Sequence, residues 1–373
     1  MKKTKIIVSL VLSLSLLVLF VLPVCAVNIS LSADKAMSAF ELGEKYMSIS
    51  EYTDEIGTTT IYNDIDVLKV RLKTLHPNIS DVELAKQIHI ALGDSEDLVN
   101  EIPEDKLLEV LESDKCVVNT SYVKATEYGS VVLTEAQALN ELARKDGLTD
   151  VGKSFVSENI ELYNEDYVLE EEYVAVPMAD GVVVSPPSAD GYMQITTRAY
   201  YLSSDNYRDY YQFRALAEWL MFPAFTFEDV LVMRSDANYA NNYNDYGYHS
   251  ATYVYNGTTT QTTRNYIEKN VGTNAPGKIN FEYASGSLGL VLRFDVIPSG
   301  ADENTVAECT NMRSFMYCKG SFPKTDGYVQ ASYCHAKVNL SISVSIPWGI
   351  SFEIEGDSSE YHGEQLTIYY EGT

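Results

Sequence analysis

Basic residues are scarce in this chain: 27 Lys and Arg stand against 53 Asp and Glu, a formal charge of −26 at pH 7. So acidic a surface excludes nucleic acid and anionic membranes as partners, because both are held by clustered Lys and Arg. Histidine is scarce too. His76, His89, His249, His335 and His362 show no His-Glu-x-x-His spacing, and no Gly-x-Ser-x-Gly elbow occurs. Zinc-protease and α/β-hydrolase chemistry therefore leave no local trace. Cys334 beside His335 is no thiol–imidazole pair either, since adjacent residues of a strand face opposite ways. No solenoid or propeller period repeats. Beyond Leu22 there is no second long apolar run, so no stable membrane insertion is expected once the N-terminal segment is removed.

That N-terminal segment is present and informative. Lys2, Lys3 and Lys5 precede an apolar run ending in Pro23, Val24, Cys25 and Ala26, the pattern of a signal peptide cleaved after Ala26. A retained anchor is the alternative. The rest is expected to be secreted, an extracellular protein of bacterial type. Four cysteines then remain, Cys116, Cys309, Cys318 and Cys334. An oxidising compartment makes disulfides of them, with Cys309–Cys318 closing a local loop and Cys116–Cys334 tying the halves together as the simplest pairing.

The two halves differ in material. Residues 27 to 190 hold 33 acids against 12 bases, and residues 191 to 373 hold 20 against 12 together with 20 of the 28 tyrosines. The first half shows helical spacing: one helix through Lys35 to Tyr46, one over 64–75 stopped by His76 and Pro77, one opened by Ser80 and Glu83, one after Pro103, and one opened by Thr134 and Gln137. A short β-hairpin over 116–132 interrupts them. Residues 177–191, with Pro186 and Pro187, read as a linker. The second half alternates with period two in Leu288 to Val296, Lys337 to Ile346, Trp348 to Ile354 and Gln365 to Tyr370. The fold class is α+β: a signal segment at 1–26, an acidic helical region with one hairpin at 27–176, and an antiparallel β sandwich or barrel-like domain at 192–373.

Tyr192 to Pro223 is the most sharply patterned stretch. Tyr211, Phe213, Ala215, Ala217, Trp219 and Met221 fall on one side, and Arg208, Tyr210, Gln212, Arg214 and Glu218 on the other. With Ser203 to Asn206 as a turn, this reads as a long hairpin with one buried and one polar face. Helical spacing of Phe213, Leu216, Ala217 and Leu220 competes with that reading.

Residues 235–249 carry Tyr239, Asn242, Tyr243, Tyr246 and Tyr248 with almost no aliphatic side chain. Tyr and Asn together suit a contact surface, since Tyr offers area at low rotamer cost and Asn adapts its hydrogen bonds. With Trp219 they form the candidate ligand-binding set, for a glycan or peptide polymer of the cell envelope or surroundings. Asp236, Asn238, Asn244 and Asp245 offer oxygen ligands that make calcium the one conceivable cofactor, although the spacing fails the EF-hand loop. The opposing account is cross-strand Tyr pairs with Asn turns. A secreted hydrolase using carboxylates near Trp219, such as Glu218 and Glu228, is the alternative function, and a structural or assembly role is the third.

Overall fold

The computed structural model describes residues 34–53, 57–126, 129–145, 148–163, 191–221, 228–239, 246–255, 258–267, 288–295, 308–336, 343–345, 353–355 and 358–368. Its helices are α1 (Ala39–Tyr46), α2 (Ile65–Leu75), α3 (Asp81–Ala91), α4 (Glu96–Glu101), α5 (Glu104–Leu108), α6 (Glu135–Leu142) and α7 (Asp150–Tyr163). Its strands are β1 (Ser48–Thr53), β2 (Thr58–Asn63), β3 (Lys115–Thr126), β4 (Gly129–Leu133), β5 (Tyr192–Ser204), β6 (Arg208–Met221), β7 (Glu228–Ser235) and β8 (Asn238–Tyr239). There follow β9 (Tyr246–Tyr255), β10 (Thr258–Ile267), β11 (Leu288–Asp295), β12 (Glu308–Pro323), β13 (Gly327–Ala336), β14 (Ser343–Ser345), β15 (Glu353–Glu355) and β16 (Ser358–Ile368).

Two compact units divide the chain, one of residues 1–49 with 62–115 and the other of residues 50–61 with 116–373. The 116–133 hairpin and helices α6 and α7 belong with the β-rich unit, as does the 50–61 insertion, because their strands extend its larger sheet. Most of 177–191, like the signal segment, lies outside the described residues.

In the first unit the helix starts follow their caps. Ser38 and Glu41 form a full capping box ahead of α1, while Ser80 and Ser95 each accept a backbone N–H at the third position of the next helix. Ile65, Leu68, Leu72 and Leu75 make the buried stripe of α2, at the spacing that puts them on one face. His89 is buried and meets Asp94 at 3.0 Å.

Asp34 is fully buried in this unit and takes Lys45 Nζ at 2.6 Å, Arg71 Nε at 2.6 Å and the Tyr46 hydroxyl. Burial alone would raise its carboxyl, but these donors and the Arg71 charge outweigh it and hold the group far below the ordinary carboxylate range. A depressed folded-state value makes this stabilisation complete above the ordinary carboxylate range and loses it as pH falls towards the depressed one. Asp34→Asn is therefore expected to lower the unit's stability at neutral pH and to flatten its decline below about pH 4. Urea unfolding across pH 2 to 7 checks this; parallel curves for both proteins would contradict it.

In the second unit the larger sheet runs β1-β2-β3-β5-β6-β12-β9-β10, with β4 on β3 and β8 on β12. A four-stranded sheet runs β11-β7-β13-β16, and β14 pairs β15. The sheets are antiparallel, and among the described strands none closes on itself, which removes the barrel-like option. The expected hairpin over 192–223 forms as β5 and β6, with Ser204 opposite Asp209 and Ile195 opposite Ala217. Its rival, a helix, loses because β6 pairs on both edges and each backbone N–H and C=O can find a strand partner.

One side of β6, Phe213, Ala215, Ala217 and Trp219, enters a core shared with Leu231 and Met233 of β7, Leu290 and Leu292 of β11, and Val329 and Tyr333 of β13. The other side is not solvated as its polar pattern suggested. Gln212 and Arg214 are 1% and 0% exposed. Arg214 lies over the rings of Phe315 (5.3 Å) and Tyr200 (6.0 Å), and Arg313 reaches Glu218 at 3.4 Å, so these charges are buried against π faces and an opposite charge. Near its end, Leu220 packs with Leu139, Leu142 and Phe155 of α6 and α7. Helix α7 approaches so closely that a Cβ at Gly152 would lie 2.1 Å from the Leu220 carbonyl oxygen, so only glycine fits there.

The strand expected at 337–346 is described only at β14, and that at 348–354 only at β15. No disulfide joins the described cysteines. Cys116, Cys318 and Cys334 are buried thiols on β3, β12 and β13, and the Cys309 side chain lies outside the described residues. The Cys116–Cys334 and Cys309–Cys318 pairings are accordingly set aside, since each needs one of these thiols. Among the described residues no helix is long and apolar enough to cross a membrane.

Candidate functional site

Strand register gathers several turns at one end of the β unit. Residues 205–207 join β5 to β6, and Pro323, the last residue of β12, stands opposite Arg208. Residues 324–326 then lead into β13, whose Val329 pairs with Ser235 at the end of β7. Beyond β7 come Asp236 and Ala237, and β8 places Tyr239 opposite Gly320 and Asn238 opposite Ser321. Tyr246 returns to the same strand opposite Tyr317. Tyr239 and Tyr246 thus pair with β12 three residues apart, and the Tyr- and Asn-rich residues 240–245 between them lie outside the described residues.

Side-chain bonds fix these turns. Asp205 Oδ1 accepts the N–H groups of Tyr207 (2.7 Å) and Arg208 (2.8 Å), and Oδ2 accepts the Tyr210 hydroxyl at 2.7 Å. These donors, the Tyr207 N–H foremost, hold the Asp205 carboxyl below its ordinary value, and the bond to Asp205 raises the Tyr210 phenol. Lys324 Nζ donates to Asp209 at 2.6 Å, and Arg208 Nη1 to Ser321 Oγ at 3.0 Å, which ties the first turn to the second. Ser235 Oγ donates to the Tyr328 carbonyl at 2.6 Å and Asp236 Oδ1 accepts the Tyr328 N–H at 2.9 Å, which ties the second to the third. From this braced end Tyr207 projects with 79% of its surface exposed.

The candidate ligand residues fare differently. Tyr243 and Asn242, and the candidate calcium ligands Asn244 and Asp245, lie outside the described residues, as do the side chains of Tyr239 and Asn238. Asp236 is exposed and engaged by Tyr328, and among the described residues no group of three His, Cys, Asp or Glu is placed to hold a metal. Tyr246 and Tyr248 are not loop residues. They open strand β9, are each 2% exposed, and set their rings 6.3 and 6.2 Å from Phe315. This is the cross-strand pairing that competes with ligand contact.

Trp219 is likewise interior, at 0% exposure, in a hydrogen-bonded cluster near the opposite end of the unit. Its Nε1 donates to the Tyr333 hydroxyl at 3.3 Å, and that hydroxyl donates to Asp229 Oδ2. Asp229 Oδ1 meets His335 Nδ1 at 2.7 Å. Burial first, then the Asp229 charge and hydrogen bond, push the Tyr333 phenol well above its ordinary value. Nearby, His249 stacks on Phe294 at 4.2 Å and meets Ser314 Oγ at 3.1 Å. Asp229 and His335 are register partners on β7 and β13, yet 106 residues apart, and no local motif announces them. The pairing resembles the orienting half of a catalytic dyad. The His335 Nε2 atom, which would serve a nucleophile, is buried with no hydrogen-bond partner among the described residues.

No family claims the chain. Neither a protein-family model nor a curated protein matches it. Among solved structures, one titled BspA_C_mut aligns over 48% of this chain and 55% of its own length, at 12% identity and a TM-score of 0.24. The chain thus spans about half of that structure, and a likeness this slight carries no argument about fold or function.

Proposed function

We propose that this is an exported, non-enzymatic binding module whose β unit is a sandwich presenting its braced turn end to an extracellular or envelope polymer, a glycan or a peptide. The observation that carries the reading is Tyr207, 79% exposed on a turn held by Asp205. An aromatic side chain held out by a rigid turn gives contact area at little entropic cost, and loops on a rigid scaffold are where binding residues concentrate. Tyr239, Asn242 and Tyr243 would supply further contacts, with Tyr246 and Tyr248 supporting them from within the sheet. Calcium held by Asp236, Asn238, Asn244 and Asp245 would be a secondary feature of the same end. Of the two carboxylates of the hydrolase reading, Glu218 pairs with Arg313 at 3.4 Å and the side chain of Glu228 lies outside the described residues.

The test is binding of the purified protein to arrayed polysaccharides, cell-wall fragments and peptides, with Tyr207→Ser and Tyr243→Ser alongside. A Tyr at the centre of such a contact typically carries enough of the energy that its loss weakens binding at least about tenfold, or about 1.4 kcal/mol. Binding that is unchanged in both variants, or absent from every class, would contradict the proposal.

A further inference from the structure

We infer that the outer edge of β1 is a second docking surface, which accepts an extended, Lys- or Arg-bearing segment of a partner protein as an added strand. Among the described strands the larger sheet ends at β1, and all six of its residues, Ser48 to Thr53, are exposed. A terminal strand presents N–H and C=O groups ready to pair with another chain. Proteins ordinarily blunt such edges with lysine, proline or a bulge, and neither β1 nor β2 contains a Lys, Arg or Pro. Ile49 and Tyr52 are 39% and 41% exposed and face opposite sides of the strand, so an added strand finds a neighbour on each face.

Charge selects the occupant. Glu51 is the one charged residue of β1, and it accepts from the neutral Thr60 hydroxyl at 3.5 Å on β2. Glu135, at the start of α6, feels it: burial first, then the Glu51 charge, raise the Glu135 carboxyl. The Glu51 carboxylate, exposed on the strand, favours a cationic neighbour on an added strand. A second copy of this chain would instead bring another Glu51 and a net charge of −26 against the first. An acidic strand would set a second carboxylate against Glu51.

The experiment uses the full-length protein and three labelled heptapeptides read by fluorescence anisotropy. One alternates Lys with Thr and Val, one has Glu in place of each Lys, and one repeats the first with alternate backbone amides N-methylated. The expected result is saturable binding of the Lys peptide, at least tenfold weaker binding of the other two, and slowed amide exchange at residues 48–53. Glu51→Lys, at an exposed position and with its fold checked by circular dichroism, is expected to weaken the Lys peptide tenfold and strengthen the Glu peptide. Equal binding of Lys and Glu peptides, no binding of the Lys peptide, indifference to N-methylation, or protection away from 48–53 would each overturn the inference. So would concentration-dependent dimers protected at 48–53, which would make a second copy the occupant. Polymer binding is judged on Tyr207 and peptide binding on Glu51, so either proposal can fail without the other.

Discussion

Truncating Trp219 to alanine is expected to destabilise the β-rich unit by about 3–5 kcal/mol, in the range measured for large aromatic truncations in protein cores. The indole is fully buried and meets rings from the facing sheet on several sides, Tyr361 at 5.1 Å, Tyr333 at 5.6 Å and His335 at 5.6 Å. Its removal leaves a void walled by strands β13 and β16, whose backbones are held by their own ladders and cannot close in. Trp219→Phe keeps most of the packing but loses the Nε1 donor to Tyr333, and should cost less. Urea unfolding followed by far-ultraviolet circular dichroism distinguishes these outcomes. A cost under about 1 kcal/mol for the alanine variant would mean that the indole is not buried in the core.

Asp229→Ala is expected to cost a similar amount, about 3–5 kcal/mol, for a different reason. The carboxylate is the shared acceptor of a buried imidazole and a buried phenol, at 0% exposure. Deleting it strands both groups away from water, where an unmet donor bears its full desolvation cost. Asp229→Asn, which retains one acceptor oxygen, should fall between wild type and alanine. Because Trp219 reaches Asp229 through the Tyr333 hydroxyl, the two alanine changes should not add, and the double variant should show an interaction of about 0.5–3 kcal/mol. Strict additivity would show that the chain of bonds does not act as a unit.

What could be read from the sequence was what local periodicity encodes. The β5–β6 hairpin, the β3–β4 hairpin and the Thr134–Gln137 capping box are written within a few residues, and each is where the pattern put it. The β1–β2 pair was not found, because Ser-Ile-Ser-Glu-Tyr-Thr and Thr-Thr-Thr-Ile-Tyr-Asn are polar on both faces and lack the alternation that marks a half-buried strand. Their Thr, Ile and Tyr content was the available signal. Residues 50–61 join a sheet otherwise built from residues beyond 115.

The site shows the same limit. Tyr246 and Tyr248 looked like the far side of a loop because Tyr, Gly and His carry little aliphatic signal. Their burial comes from Phe315, nearly seventy residues on in the neighbouring strand, and no local window sees it. Trp219 follows the two-residue register of β6 to the interior face and is fully buried, not a surface contact. Tyr207 sits alone at the start of the alternating run and carries no local signal; its exposure follows from the turn that Asp205 closes behind it. Cysteine spacing proposed pairs, but strand order sends Cys116, Cys318 and Cys334 to three different strands.

The most direct test of the central claim is amide hydrogen exchange on the intact protein with and without a polymer that it binds. Binding at the turn end predicts slowed exchange at residues 203–210, 236–239 and 323–328, with the β7 and β13 amides around Asp229 and His335 unchanged. Slowed exchange confined to other parts of the chain, or no change at saturating polymer, would contradict the account.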